Sequence, residues 1–161
     1  MKILLIDDDI GSLEALYMTI KPTKHHCDAF QNPNKALLKF LNTHHDIVIT
    51  NITMSELSDV DILKTVKKFK ENVYVIMITD NRDVNKIKLL KENKAYAFFD
   101  KPLKVNEIIN TILRIEREEN ILSNKNDEYV QIKSDIKRLR NTIEELTDLY
   151  NELKNKMNIT F

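Results

Sequence analysis

"DIVITNITMSELSDVDILKTVKKFKENVYVIMITD", residues 46–80, contains two short apolar runs separated by a longer stretch of different periodicity. The runs at 47–49 and 73–78 are rich in Ile and Val and too short for helices, so they read as strands. Between them Val60, Leu63, Val66 and Phe69 fall on one face of a helix, spanning 59–70. A near-continuous apolar strand is one covered on both faces, and a helix between two such strands makes them parallel neighbours joined by a right-handed crossover. Asn51 stands where the first of these strands runs out. In an open α/β sheet the carboxyl end of a central strand is where chemistry sits.

The same alternation extends in both directions. Strands are expected at 3–6, 27–30 and 95–99, and helices at 12–20 (Leu13, Leu16, Ile20), 33–42 (Leu37, Leu38, Leu41), 82–93 (Val84, Ile87, Leu90) and 105–120 (Ile108, Ile109, Ile112, Ile115). Five strand-helix alternations specify an α/β fold, a doubly wound five-stranded parallel sheet, over residues 1–118. At 161 residues and 42% hydrophobic, the chain suffices for one such domain plus an appendage.

Composition narrows the function classes. Twenty-five Lys and Arg balance twenty-five Asp and Glu, so the charge balance implies neither nucleic acid nor an acidic membrane surface as partner, and points to protein. "KRLR" at 137–140 is a single basic turn in a neutral segment. No run approaches the roughly 20 apolar residues of a membrane span, and the N-terminal apolar run is too short for a signal peptide, so no membrane partner and a cytoplasmic location are expected. The lone Cys27 has no intramolecular partner and reads as a half-buried, inert thiol. Gly11 is the only glycine, which rules out a glycine-rich phosphate loop and leaves turns to Asn, Asp, Ser and Lys. The "HH" pairs at 25–26 and 44–45 read as solvated surface residues.

Beyond Ile115 the period changes. With Ile115 as an a position, the a series runs Ile115, Leu122, Tyr129, Ile136, Ile143, Tyr150, Met157, and the d series from 132 runs Ile132, Leu139, Leu146, Leu153. Glu118 and Lys125 occupy the two earlier d positions, so the seam is expected from about 129 to 161, with 119–128 a helical linker or weak turn and Asp127 available as an N-cap. Isoleucine at a and leucine at d suit a parallel two-stranded coiled coil, and Glu128 would face Lys133, and Asp135 Arg140, of a partner chain. Ile132, Ile136, Leu139, Ile143, Leu146, Tyr150 and Leu153 are thus the candidate homodimerisation residues. The competing reading folds this helix back on its own domain; a seam two apolar positions wide per heptad suits a partner helix better.

Asp7, Asp8 and Asp9 follow the first strand directly. Crowded carboxylates are costly unless a cation sits among them, and hard oxygen ligands suit Mg²⁺; alternatively Asp is simply favoured at a helix N-terminus. Thr79 ends the fourth strand in "VIMITD" and Lys101 follows the fifth in "AFFDKPL". Strand ends of a doubly wound sheet converge on one crevice, which would gather two acids, Asn51, a hydroxyl and an ammonium group, a set suited to a phosphoryl group and its metal.

Over about residues 1–118 the chain resembles the receiver domain of two-component response regulators, the CheY-like family with flavodoxin-like strand order 2-1-3-4-5. "ILLIDDD" matches the family's metal-binding acidic pair at Asp7 and Asp8, "VIMITD" its switch hydroxyl at Thr79, and "DKP" its phosphate-contacting lysine, Lys101, followed by Pro102, whose peptide bond is cis in the family. Phe98 falls on the switch aromatic. The resemblance also implies Asn51 and Thr53 as metal-site positions, Mg²⁺ as cofactor, and a sensor histidine kinase or a downstream signalling protein as partner.

The departure is Asn51, where family members carry the phosphoacceptor aspartate. A carboxylate attacks phosphorus; a carboxamide oxygen is a poor nucleophile, so Asn51 is not expected to be phosphorylated, and Mg²⁺ is expected to be weakened or absent. Ser55 and Asp59 replace a usual proline and glycine, and Asp80 a small residue; Asp80 would either close the pocket mouth or cap the following helix. Two readings follow. In one, the chain is a receiver that has lost its acceptor, is dimerised by its C-terminal helix and works through protein contacts without being an enzyme. In the other, it is an ordinary phosphorelay receiver locked by an Asp-to-Asn substitution, with the possibility of an absent output domain. An independent enzyme built on Asp7, Asp8 and Lys101 lacks a competent nucleophile or base.

Overall fold

The computed structural model describes residues 1–51, 59–79 and 84–158. Five strands, β1 (Lys2–Ile6), β2 (His26–Phe30), β3 (Ile47–Asn51), β4 (Tyr74–Thr79) and β5 (Ala97–Asp100), alternate with helices α1 (Ile10–Ile20), α2 (Pro33–Asn42), α3 (Asp59–Phe69), α4 (Val84–Glu92) and α5 (Val105–Asn158). The strands form one sheet in the order β2-β1-β3-β4-β5, every neighbouring pair parallel.

Alternation along the strands sorts the core into two layers. Leu4, Ile6, Val48, Val75 and Met77 face Ala36 and Phe40 of α2, Ile62, Leu63 and Val66 of α3 and Leu90 of α4. Ile3, Leu5, Ile47, Ile49, Ile76 and Ile78 face Leu13, Leu16 and Ile20 of α1 and Ile108, Ile112 and Ile115 of α5. This double coverage is why β1, β3 and β4 are apolar at nearly every position.

Local signals fix the helix starts. Asp9 caps α1 by accepting a hydrogen bond from the Ser12 backbone N–H at 2.7 Å, which starts the helix at Ile10, two residues earlier than its apolar pattern. Asn32 caps α2 through the Lys35 N–H at 3.0 Å, with Pro33 at the first helical position. The Ala95–Tyr96 segment precedes β5, because the chain leaves α4 through Lys94 at φ 64°, with Ala95 N–H bonded to the Leu90 carbonyl. Lysine stands here in a left-handed position that glycine would occupy more easily.

α5 runs without interruption through 123–127, so the weak turn considered there is helical and Asp127 lies inside a helix rather than capping one. Residues Met1–Ile115 form one compact unit and Glu116–Phe161 a second. Among the described residues no helix is long and apolar enough to cross a membrane.

Candidate functional site at the carboxyl end of the sheet

Asp7 lies one residue past β1 and Asn51 closes β3; the register Ile6 opposite Thr50 places the two side by side. Both are almost completely buried, Asp7 at 1% and Asn51 at 3% exposure. The Asn51 amide donates Nδ2–H to Asp7 Oδ1 at 3.0 Å, and the Asp9 backbone N–H donates to the same oxygen at 3.0 Å. Lys101 Nζ approaches Asp7 Oδ2 at 3.4 Å, a cation about one-fifth exposed against a buried carboxylate. One buried charge therefore has three donors aimed at it, which is what a carboxylate out of water requires.

Thr79, also buried, ends β4 opposite Asp100, and its carbonyl accepts the Lys101 backbone N–H at 2.9 Å, tying the loop after β5 to the end of β4. The Lys101–Pro102 peptide bond is cis, as the resemblance implies. Phe98 on β5 is half-buried and packs against the core layer of α2, α3 and α4.

The acidic triplet divides its labour. Asp7 is interior, Asp8 is exposed, and Asp9 is the α1 cap, its carboxyl held below the usual range by the Ser12 backbone and hydroxyl hydrogen bonds, with Lys101 adding. The helix-terminus reading of the triplet thus applies to Asp9, while Asp7 lies beside Asn51 and Lys101 at the strand ends. Thr53, Ser55 and Asp80 lie outside the described residues, as does the side chain of Asp59. Among the described residues no three His, Cys, Asp or Glu side chains are grouped to hold a metal.

The response regulator receiver domain family matches residues 3–113. The chain belongs to that family. As a receiver domain it is 30% identical over 118 residues to the transcriptional regulatory protein FlgR of Helicobacter pylori, covering 73% of this chain but 30% of FlgR. It is 28% identical over 107 residues to the sporulation initiation phosphotransferase F of Bacillus subtilis, covering 66% of this chain and 86% of that protein. A response regulator receiver domain protein from Clostridium thermocellum superposes with a TM-score of 0.70 at 25% identity, over 75% of this chain and 98% of the other. The receiver domain thus spans under a third of FlgR and most of the sporulation protein. Receiver domains are signalling modules of two-component systems and generally bind Mg²⁺ at their acidic pocket. Of the donors such an ion would need here, Asp7 is engaged by Asn51 and Lys101 and Asp8 is solvent-facing.

The histidines correct a sequence expectation. His25 and His45 are buried, and only His26 and His44 are exposed. His45 stacks on Phe40 and its Nε2–H donates to Asp28 Oδ2 at 3.0 Å, while its buried Nδ1 has no partner among the described residues. The signal was available: residues adjacent to a strand point to opposite sides, so one member of each pair turns inward.

Proposed function

We propose that this receiver domain accepts no phosphoryl group as it stands and signals through protein contacts, as a homodimer joined by its C-terminal helix. The observation that carries the reading is the Asn51 amide donating to Asp7 at 3.0 Å. At the position where the family attacks phosphorus this chain offers an amide, and that amide already satisfies the carboxylate that would otherwise help hold Mg²⁺. With no acyl phosphate to form, only a partner with unequal affinity for two conformations can bias the domain. The face formed by α4, β5 and the 105–115 part of α5, which carries Phe98, is the contact surface this reading assigns.

Phosphorylation chemistry tests it. After incubation with acetyl phosphate and Mg²⁺, intact-mass measurement is expected to show phosphoryl addition on the Asn51→Asp variant and none on the chain itself. Addition to the unaltered chain overturns the reading. Buried Asp7 and Thr79 and the nearby Lys101 also support the second reading, an ordinary receiver locked at one position. Under it the Asn51→Asp variant is phosphorylated by a sensor kinase as readily as by acetyl phosphate.

A further inference from the structure

We infer that residues 129–153 pair in parallel and in register with the same segment of a second copy of this chain. This rests on the dimeric reading above and carries the direction expected from the heptads to a fixed alignment, with the antiparallel arrangement weighed against it.

Along α5 the a and d positions from 129 to 153 are all Ile, Leu or Tyr, and the side chains are exposed in the single chain: Ile136 is 51% exposed, Leu139 63% and Ile143 61%. An apolar stripe of that length open to water marks an interface. Its core of two positions per heptad, flanked by Val130 and Leu149, is the shape that knobs of a facing helix fill, and β-branched Ile at the central a positions with Leu at d from 139 onward favours two parallel strands.

Charge decides the direction and names the occupant. From 129 onward the charged e positions are basic, Lys133, Arg140 and Lys154, whereas the g positions entering the seam are acidic, Glu128 and Asp135. A parallel pair sets g against the next e of the partner, so Glu128 meets Lys133 and Asp135 meets Arg140, each twice by symmetry. An antiparallel pair sets e against e, bringing Arg140 towards its own copy or Lys133 towards Lys154, like charges in either case. The segment is therefore complementary to itself in one orientation only. Glu118 and Lys125 at the preceding d positions set the start of the pairing at Tyr129.

Single cysteines near the two ends read out the alignment, in chains where Cys27 is replaced by alanine. Ile132→Cys and Leu153→Cys are each expected to give a disulfide-linked dimer under mild oxidation, seen on a non-reducing gel, because a d position faces its own copy. In an antiparallel pair residue 132 lies opposite 150, roughly 27 Å from its own copy at ~1.5 Å per residue. Failure of both self-links, with linkage instead in an equimolar mixture of Ile132→Cys and Tyr150→Cys chains, overturns the parallel alignment while leaving the dimer. A monomer by light scattering at tens of micromolar of the unaltered chain overturns the dimer itself. Neither result bears on whether Asn51 accepts phosphate, which intact mass decides separately.

Discussion

At residue scale, Asn51 replaces repulsion with a hydrogen bond. With aspartate at 51, two buried carboxylates would lie about 3 Å apart beside one ammonium group, and the pair would resist ionisation unless a cation entered. Asn51→Asp is therefore expected to destabilise the metal-free domain by about 1–3 kcal/mol, the cost of an unpaired buried polar group, and to recover with millimolar Mg²⁺. Thermal unfolding in EDTA and in Mg²⁺ checks this; equal midpoints for the variant in the two buffers would contradict it. A second residue-scale consequence lies at His45. Burial holds its imidazole below the ordinary value, Lys70 and Lys39 adding, against the opposing pull of Asp28. The unfolded chain then takes up the proton first, so stability is complete above about pH 6.5 and declines as pH falls towards the folded value, by at most about 1.4 kcal/mol per pH unit. His45→Gln keeps a donor for Asp28 without the titration. Urea midpoints between pH 7.5 and 5.5 are expected to slope less for that variant than for the parent, and identical slopes would remove His45 as the cause.

At element scale, period and termini decide what was legible. The five strands and five helices were readable from apolar spacing because each buries a face against a defined neighbour, and the 2-1-3-4-5 order followed from the resemblance. Boundaries moved where a side chain rather than a period sets them: Asp9 starts α1 before its first buried leucine, and Lys94 delays β5. The 123–127 stretch is helical because it holds no Pro or Gly to stop a helix already under way. The meeting of Asp7, Asn51 and Lys101 at the strand ends was legible, but which aspartate turns inward was not, since three consecutive aspartates differ only in where the turn after β1 points them. Lys94 gives the prediction at this scale. A non-glycine residue in the left-handed region costs about 1 kcal/mol, and its exposed 2.6 Å pair with Glu71 returns little of that. Lys94→Gly is expected to raise the unfolding midpoint by a few degrees, about 0.5–1 kcal/mol, and an unchanged or lower midpoint in a thermal scan would show that the strain is absorbed.

At the scale of the whole molecule, two units are held by different physics. Met1–Ile115 has its own core, in the two layers over the sheet, so its unfolding midpoint is expected to be independent of protein concentration. Beyond Glu116 the large apolar side chains from Ile121 to Leu153 are exposed, so in the proposed dimer the helix would gain from packing when a second copy covers them. Helix signal is then expected to melt in two parts, one fixed and one whose midpoint rises with concentration because dissociation accompanies it. A charge at the centre of the seam separates the two. In the proposed dimer Leu139→Glu would place a carboxylate opposite its own copy away from water, and it is expected to yield monomers by light scattering and abolish the concentration-dependent transition. The receiver transition stays in place, since residue 139 contributes nothing to either core layer. A fall in the receiver midpoint would mean instead that the helix packs on its own domain, and the competing fold-back reading would take over.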